Sequence, residues 1–79
     1  MQQTPRIDVH GMTGDEAVRA VAINLREFEG IGYPEVFVVH GNGTGVLKSR
    51  IRTMLTNHGY AWRAGKYNEG GDGVTVVDI

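Results

Sequence analysis

The segment His40–Gly45 constrains this chain more than any other, because it joins a strand-like apolar run to a helix-like run. Glycine occupies every second position from Gly41 to Gly45, where it permits positive φ angles and leaves backbone N–H groups accessible. A junction of this kind can surround a phosphate with amides and the positive end of a helix. The loop therefore predicts a phosphate-bearing partner, and the alternative is a tight turn that only packs a helix against a strand.

The loop matches neither of two common phosphate-binding motifs. A dinucleotide fingerprint needs a glycine at the position of Val46, and a P-loop needs one at the position of Leu47. The identity of the partner therefore has to come from the residues around the loop.

Hydrophobic periodicity predicts the element order βαβαββ. Residues 6–10 alternate between polar and apolar, which is typical of a half-buried strand. A capping box at Thr13 and Glu16 begins the first helix, whose apolar residues recur at helical spacing up to Gly30. Residues 35–40 have the most buried pattern of any strand, and the second helix begins at the glycine loop.

The C-terminal part adds two further strands, at residues 60–66 and 73–79, separated by a flexible loop at residues 68–72. A strand, helix and strand of this length imply a right-handed crossover, so the first two strands should run parallel. The predicted fold is α/β, a two-layer sandwich in which two helices cover a mixed four-stranded sheet. Residues 1–5 are interpreted as a leader or remnant, and residues 6–79 as one domain.

Composition excludes several classes of protein. The 79 residues include no cysteine, which rules out a disulfide framework, a thiolate metal site and a cysteine nucleophile. The sequence also lacks an apolar run long enough for a membrane span or a signal peptide. We therefore expect a cytoplasmic protein without a membrane partner.

Three polar side chains end the first two strands, at the sheet edge where ligands bind in open α/β folds. Asp8 and His10 end the first strand and His40 ends the second, so all three are predicted to meet at the glycine loop. Asp8 can orient the His10 ring for general acid/base catalysis, and His40 can supply a second proton-transfer group. Purely structural histidines, or one divalent metal held by the three side chains, are the alternatives.

Charge is distributed unevenly along the chain. The net charge is −1, but the segment between Glu35 and Glu69 holds five basic residues and no acidic one, while the remainder has a net charge of −6. Basic residues beside a glycine loop suit the phosphate backbone of a nucleic acid. The predicted phosphate-binding residues are Gly41, Asn42, Gly43, Thr44, Gly45, Lys48 and Arg52.

Aromatic residues give a weaker signal. Phe37, Tyr60 and Trp62 lie in predicted strands and are expected in the core. Tyr67, beside Lys66 near the predicted loop, is the better candidate for stacking on a nucleic-acid base.

Three separated motifs resemble those of the Smr (small MutS-related) domain family. They are Asp8-x-His10-Gly11, His40-Gly41-x-Gly43-Thr44-Gly45 and Gly70-Gly71-x-Gly73-Val74-Thr75-Val76-Val77. The resemblance covers about residues 7–79, and the last motif is most similar to the Smr domain that ends the second-type bacterial MutS proteins. Asn42 departs from many relatives, which have a basic residue at this position.

The resemblance implies an endonuclease domain cut from a longer MutS-like ATPase, with DNA, RNA or the ribosome as partners. It implies nicking or cleavage of phosphodiester bonds, in suppression of recombination or in ribosome rescue. It also places catalysis on Asp8 and His10, and the binding loop on His40, Gly41 and Gly43. A non-catalytic module that binds nucleic acid or ribosomes is the alternative.

The residues of the predicted cleft favour RNA cleavage without a metal. Asp8 is the one acidic residue there, whereas a two-metal nuclease needs several oxygen ligands. Two imidazoles and a nest of amides suit proton transfer from the RNA 2′-hydroxyl and stabilisation of an anion. We therefore expect no cofactor for RNA cleavage, and assistance by Mg²⁺ or Mn²⁺ for DNA nicking.

Overall fold

The computed structural model describes residues 3–79, so Met1 and Gln2 of the predicted leader lie outside the described residues. Its main elements are, in chain order, β1 (Arg6–Asp8), α1 (Gly14–Ile31), β2 (Glu35–Val39), α2 (Val46–Asn57), β3 (Ala61–Ala64) and β4 (Val74–Asp78). Short 3₁₀ turns at Tyr67–Glu69 and Gly71–Gly73 connect β3 to β4. The order βαβαββ is the predicted one, and each predicted strand is one to three residues too long.

The four described strands form one mixed sheet in the order β1-β2-β4-β3. β1 pairs parallel with β2, with Ile7 opposite Val38. β4 is antiparallel to both of its neighbours, with Val76 between Phe37 and Arg63. The pairing confirms that the first two strands run parallel, and it brings the carboxyl ends of β1 and β2 to the same edge.

The start of the described chain is attached to this sheet. The Phe37 amide donates a hydrogen bond to the Pro5 carbonyl at 2.9 Å, which extends the β1–β2 ladder by one bond. The boundary between a leader and the domain stays a prediction.

The hydrophobic core lies between one face of the sheet and the two helices. Its fully buried side chains come from both helices and from the strands: Val21, Leu25, Ile51, Leu55, Val36, Val38 and Val77. Within each helix they are spaced four residues apart, as an inward-facing apolar stripe requires. Within residues 3–79, neither helix has the length and apolar character needed to cross a membrane.

The most buried strand is β4, so the prediction that residues 35–40 fill this role is wrong. In β2, Val36 and Val38 are buried and the other three residues are half-buried. In β4, residues 74–77 are all buried. β2 alternates because a two-layer sandwich leaves one face of the sheet without helices, and every second side chain of β2 points to that face.

α1 begins at the predicted capping box and ends two residues later than predicted. The Glu16 amide donates to Thr13 Oγ1 at 3.2 Å, and the Thr13 amide donates to the Glu16 carboxylate at 3.0 Å. At the other end Gly32, with a φ of 105°, donates to the Phe28 carbonyl and caps the helix. Because this second glycine supplies the left-handed conformation, Gly30 stays helical.

The segment predicted as a flexible loop, residues 68–72, overlaps two short 3₁₀ turns. The Glu69 carboxylate accepts two hydrogen bonds from the Arg63 guanidinium, at 2.7 and 2.8 Å, and one from the Lys66 amide at 2.7 Å. These donors lower the pKa of Glu69 to about 2. Arg63 is thereby paired with a carboxylate and lost from the predicted basic surface.

Candidate functional site

A cleft of about 550 Å³ opens beside the carboxyl ends of β1 and β2. Its walls are the turn after β1, the glycine loop after β2 and the first turn of α2, and its lining includes His10, His40, Gly41, Gly43, Thr44, Gly45 and Lys48. Asp8 adjoins the cleft through His10, Asn42 is exposed in the loop, and Arg52 lies one turn further along α2. The structure therefore brings together most of the residues that the sequence nominated.

Asp8 and His10 form a side-chain pair at the mouth of this cleft. Asp8 Oδ1 accepts a hydrogen bond from His10 Nδ1 at 2.5 Å and another from the His10 amide at 3.2 Å. The side chains of Asp8 and His10 are 55% and 70% exposed, so a large ligand can reach them. The pair is local: His10 lies two residues after Asp8, in the turn that follows β1, and Gly11, with a φ of 82°, continues this turn.

This contact shifts the two pKa values in opposite directions. The hydrogen bond from His10 lowers the pKa of Asp8, and the Asp8 carboxylate raises the pKa of His10. Since Nδ1 donates to Asp8, Nε2 is the ring nitrogen left for proton exchange, and it has no hydrogen-bond partner among residues 3–79. His10 is thus oriented as a proton-transfer group.

His40 lies at the floor of the cleft and is only 4% exposed. Its Nδ1 is 2.9 Å from the Gly41 carbonyl, and its Nε2 is 2.8 Å from Thr75 Oγ1. A carbonyl can only accept a hydrogen bond, so we assign the ring proton to Nδ1. Nε2 then accepts from the Thr75 hydroxyl, which in turn accepts from Arg52 Nε at 2.9 Å.

The surroundings of His40 favour the neutral form of its ring. Burial lowers the pKa of His40, and the charges of Arg52 and Lys48 act in the same direction against the bond to Gly41. Both ring nitrogens are hydrogen-bonded, one to the glycine loop and one to β4. The role of His40 as a second proton-transfer group stays a prediction.

Four amides of the glycine loop have no hydrogen-bond acceptor among the described residues. The His40 and Gly41 amides both donate to the Gly73 carbonyl at 3.0 Å, so Gly41 contributes a turn, with a φ of 82°, rather than an amide donor. The next four amides, at residues 42–45, donate to no acceptor within residues 3–79. They belong to four consecutive residues, and Gly43, Thr44 and Gly45 line the same cleft as His10.

The first turn of α2 adds to this positive surface. Gly45, with a φ of 85°, is the N-cap of α2 and makes no side-chain capping bond, and the first turn holds no acidic residue. The partial positive charge of this helix end lies at the glycine loop, where the Val46 amide donates to Thr44 Oγ1 at 3.4 Å. Lys48 lines the same cleft and makes no ion pair with the residues that the structure describes.

The predicted basic segment is in part neutralised. Arg50 pairs with Asp15 of α1 at 2.7 Å, as Arg63 does with Glu69. Arg52 points inward to Thr75, and its Cζ lies over the Trp62 ring, 4.7 Å from the ring centroid. Lys48 is therefore the side-chain cation best placed for a phosphate in the cleft.

The metal alternative finds little support in the arrangement of side chains. Residues 3–79 contain no group of three or more histidine, cysteine, aspartate or glutamate side chains placed to hold a metal ion. Asp8 and His10 are bonded to each other, and His40 is bonded through both ring nitrogens. The three side chains considered as ligands therefore each have another partner.

Two residues of this region were not identified from the sequence. Thr75 is fully buried and links His40 to Arg52. The sequence signal for it is a single polar residue within a run of valines.

Trp62 is 36% exposed, so the prediction that it lies in the core is wrong. β3 is an edge strand, and all four of its residues are exposed.

The sheet, the helices and the glycine-loop cleft define a two-layer α/β domain, and the family model of the Smr domain matches residues 7–79. The chain belongs to the Smr domain family, as its three motifs indicated. The crystal structure of the Smr domain of Thermus thermophilus MutS2 matches with a TM-score of 0.90 and 34% identity, over 95% of this chain and 96% of that one. The stand-alone small MutS-related protein YdaL of Escherichia coli shares the fold, with a TM-score of 0.88, 19% identity and coverage of 99% and 66%.

The curated relatives are much longer proteins. Endonuclease MutS2 of Caldanaerobacter subterraneus subsp. tengcongensis is 42% identical over 78 residues, which are 96% of this chain and 10% of that protein. Endonuclease MutS2 of Clostridium botulinum (strain Okra) is 45% identical over 75 residues, 92% of this chain and 10% of that protein. The chain thus spans about a tenth of the length of the curated relatives it matches.

Proposed function

We propose that this chain is a nuclease domain that cleaves phosphodiester bonds in nucleic acid, with Asp8 and His10 as its acid/base pair. The observation that carries the proposal is the His10 ring, which Asp8 fixes through Nδ1 while Nε2 stays open at the mouth of the cleft. The longer relatives from two bacteria are named endonucleases, which supports the same class of activity.

The phosphate of the substrate binds in the glycine loop. The amides of residues 42–45 and the end of α2 supply hydrogen bonds and partial positive charge, and Lys48 supplies a full charge. These donors contact phosphate oxygens rather than base edges, so binding does not depend on base sequence. They also stabilise the negative charge that develops on the phosphate oxygens during the reaction.

The reaction on RNA begins with a proton transfer to His10. Nε2 removes the proton of the 2′-hydroxyl, the 2′-oxygen forms a bond to phosphorus, and the P–O5′ bond breaks. The departing 5′-oxygen takes a proton from solvent, because both nitrogens of His40 are occupied by hydrogen bonds. The products are a 2′,3′-cyclic phosphate and a 5′-hydroxyl, and no cofactor takes part.

DNA lacks the 2′-hydroxyl, so its cleavage needs a water molecule as the nucleophile. Water is a less effective nucleophile than a hydroxyl that the substrate itself carries, because the water molecule has to be bound and oriented first. We therefore expect nicking of DNA to be slower than cleavage of RNA, and we expect added Mg²⁺ or Mn²⁺ to stimulate it.

His40 has a positioning role in this scheme. Its bonds to Gly41 and Thr75 fix the turn that begins the glycine loop, while the Gly73 carbonyl holds the neighbouring amides. Loss of His40 is expected to disturb phosphate binding and loop geometry, whereas loss of His10 removes the proton-transfer group itself.

In its wider setting, the domain acts in the cytoplasm as part of a longer MutS-like ATPase. Its cleavage serves either suppression of recombination on DNA or rescue of ribosomes through RNA. The rival function is a binding module without chemistry, in which the loop amides dock phosphate and the Asp8–His10 pair only holds the turn after β1.

The test is cleavage of a labelled structured RNA and a plasmid by the purified chain, with EDTA or with Mg²⁺ and Mn²⁺. We expect RNA cleavage in EDTA with a cyclic phosphate product, and slower plasmid nicking that the metals stimulate. RNA cleavage that stops in EDTA and returns with metal would overturn the metal-free mechanism. Binding of both substrates without cleavage under any condition would reject the nuclease function and favour the rival function, a binding module without chemistry.

A further inference from the structure

We propose that the groove between α2 and β3 binds a nucleic-acid base by stacking on Trp62, beside the phosphate site of the glycine loop. This inference rests on the proposed function for its class of ligand, because it places a base of the strand whose phosphate enters the loop. It adds a second binding site to the domain, on a different surface of α2 from the Asp8–His10 cleft.

The groove has a volume of about 460 Å³, within the range of small-molecule binding sites. It follows one side of α2, and its lining includes Lys48, Arg52, Thr56, Asn57 and Trp62. Gly45 and Lys48 also line the cleft at the glycine loop, so the two depressions adjoin. A single strand bound through a phosphate at the loop can therefore place a neighbouring base in the groove.

The Trp62 indole is accessible and is also held in a fixed position. It is 36% exposed, and its Nε1–H donates to Thr56 Oγ1 at 2.9 Å. The Arg52 Cζ lies over one face of the indole ring, 4.7 Å from its centroid, and Arg52 is itself anchored to Thr75 in the sheet. The opposite face of the ring is therefore the one proposed for the base. An aromatic ring that is already ordered loses little conformational freedom when a base stacks on it.

The charges around Trp62 favour an anionic ligand. Lys48 and Arg52 are both basic, and the lining contributed by the described residues contains no acidic side chain. Arg52 Nη2 is buried and has no hydrogen-bond partner within residues 3–79, so no carboxylate of this part of the chain neutralises the guanidinium. Trp62 is the one large apolar side chain in this lining, which suits a single flat base better than an apolar peptide.

Tyr67, the stacking candidate from the sequence, has a different environment. Its side chain is fully exposed, and within the described chain no arginine or lysine packs over its ring. A free ring has to be ordered when it binds a base, so it contributes less affinity. The groove therefore favours Trp62 over Tyr67 as the stacking residue.

The fluorescence of Trp62 tests the proposal directly, because it is the only tryptophan in the chain. The probes are a 2′-O-methyl uridine hexamer, a thymidine hexamer and an abasic deoxyribose hexamer with the same number of phosphates. We expect the two base-bearing hexamers to quench the emission and the abasic hexamer to leave it unchanged when bound to saturation. Equal quenching by all three, or by none, would overturn the proposal, and the two affinities distinguish RNA-like from DNA ligands.

A matched pair of variants tests the same point through affinity. Trp62→Leu should weaken binding of the base-bearing hexamers by about 5- to 150-fold, the range expected for one base stacked on an aromatic ring. Tyr67→Leu should bind them as the wild type does. Loss of affinity in Tyr67→Leu, or unchanged affinity in Trp62→Leu, would contradict the assignment. The comparison with the abasic hexamer uses wild-type protein, so it tests the proposal even if Trp62→Leu does not fold.

His10→Ala separates this inference from the proposed function. The variant should keep the quenching of Trp62 by the hexamers while it loses RNA cleavage. Wild-type cleavage without quenching would reject the stacking site and leave the nuclease function. Quenching without wild-type cleavage would reject the nuclease function and leave the stacking site.

Discussion

At the scale of single residues, the two histidines of the cleft have opposite environments. His10 is exposed and bonded to a carboxylate, which stabilises the imidazolium and raises the His10 pKa. His40 is buried between a carbonyl and a hydroxyl, and its pKa is lowered chiefly by burial. The same side chain is therefore suited to proton exchange at one position and to fixing a loop at the other.

Asp8→Asn should lower the pKa of His10 toward its ordinary value of 6.5, because an amide cannot stabilise the imidazolium as a carboxylate does. NMR titration of the ring C–H signals should place the wild-type His10 pKa above 6.5 and the His40 pKa below it. The limb of the pH–rate profile that His10 sets should move to lower pH in Asp8→Asn, whether His10 acts as base or acid. A wild-type His10 pKa below 6.5 would contradict the pairing.

Thr75→Val should lower the free energy of unfolding by about 1–3 kcal/mol, the cost of leaving buried polar groups without partners. The hydroxyl serves both His40 Nε2 and Arg52 Nε, and valine is similar in size but cannot bond to either. Urea unfolding of the variant beside Thr75→Ser, which keeps the hydroxyl, measures the effect. Equal stability of the valine and serine variants would show that the hydroxyl does not link the two side chains.

At the scale of elements, the glycine loop and α2 together form the proposed anion-binding site. The loop leaves the amides of residues 42–45 open, and α2 begins directly behind them without a side-chain cap. Lys48 follows on the first turn, at the junction of the cleft and the groove. The element therefore places its backbone dipoles and one full charge at the same point.

Lys48→Ala should reduce the magnitude of the salt dependence of nucleic-acid binding by about one unit in a plot of log affinity against log salt, since one phosphate contact is lost. Arg19→Ala, which removes an exposed cation from α1, is the matched control and should leave the slope unchanged. Parallel lines for Lys48→Ala and wild type would mean that Lys48 is merely solvated.

Features that depend on neighbouring residues could be predicted from the sequence. Contacts between residues far apart in the sequence could not. The capping box of Thr13 and Glu16 and the Asp8–His10 pair each involve residues at most three apart, and both appear as local rules suggest. The burial of His40 depends on Thr75, 35 residues away, and the exposure of Trp62 follows from the edge position of β3. Strand order and side-chain partners of that kind do not follow from hydrophobic periodicity.

At the scale of the whole molecule, we expect the charge to limit how strongly this chain alone can bind nucleic acid. Its net charge is −1, and Arg50 and Arg63 are paired with carboxylates. Affinity for a phosphate backbone comes largely from free cations, so few of them mean weak binding at physiological salt. The chain spans about a tenth of the length of the curated relatives it matches. In a protein of that length, we expect the other regions to supply part of the affinity.

The cleavage rate of His10→Ala relative to wild type tests the central claim most directly. Single-turnover cleavage of a structured RNA should fall by about 10²–10⁴, the usual effect of losing a positioned general base, while thermal unfolding stays unchanged because His10 is exposed. His58→Ala, which removes an exposed histidine at the end of α2, should cleave as the wild type does. Cleavage by His10→Ala at the wild-type rate would contradict the assignment of Asp8 and His10 as the acid/base pair.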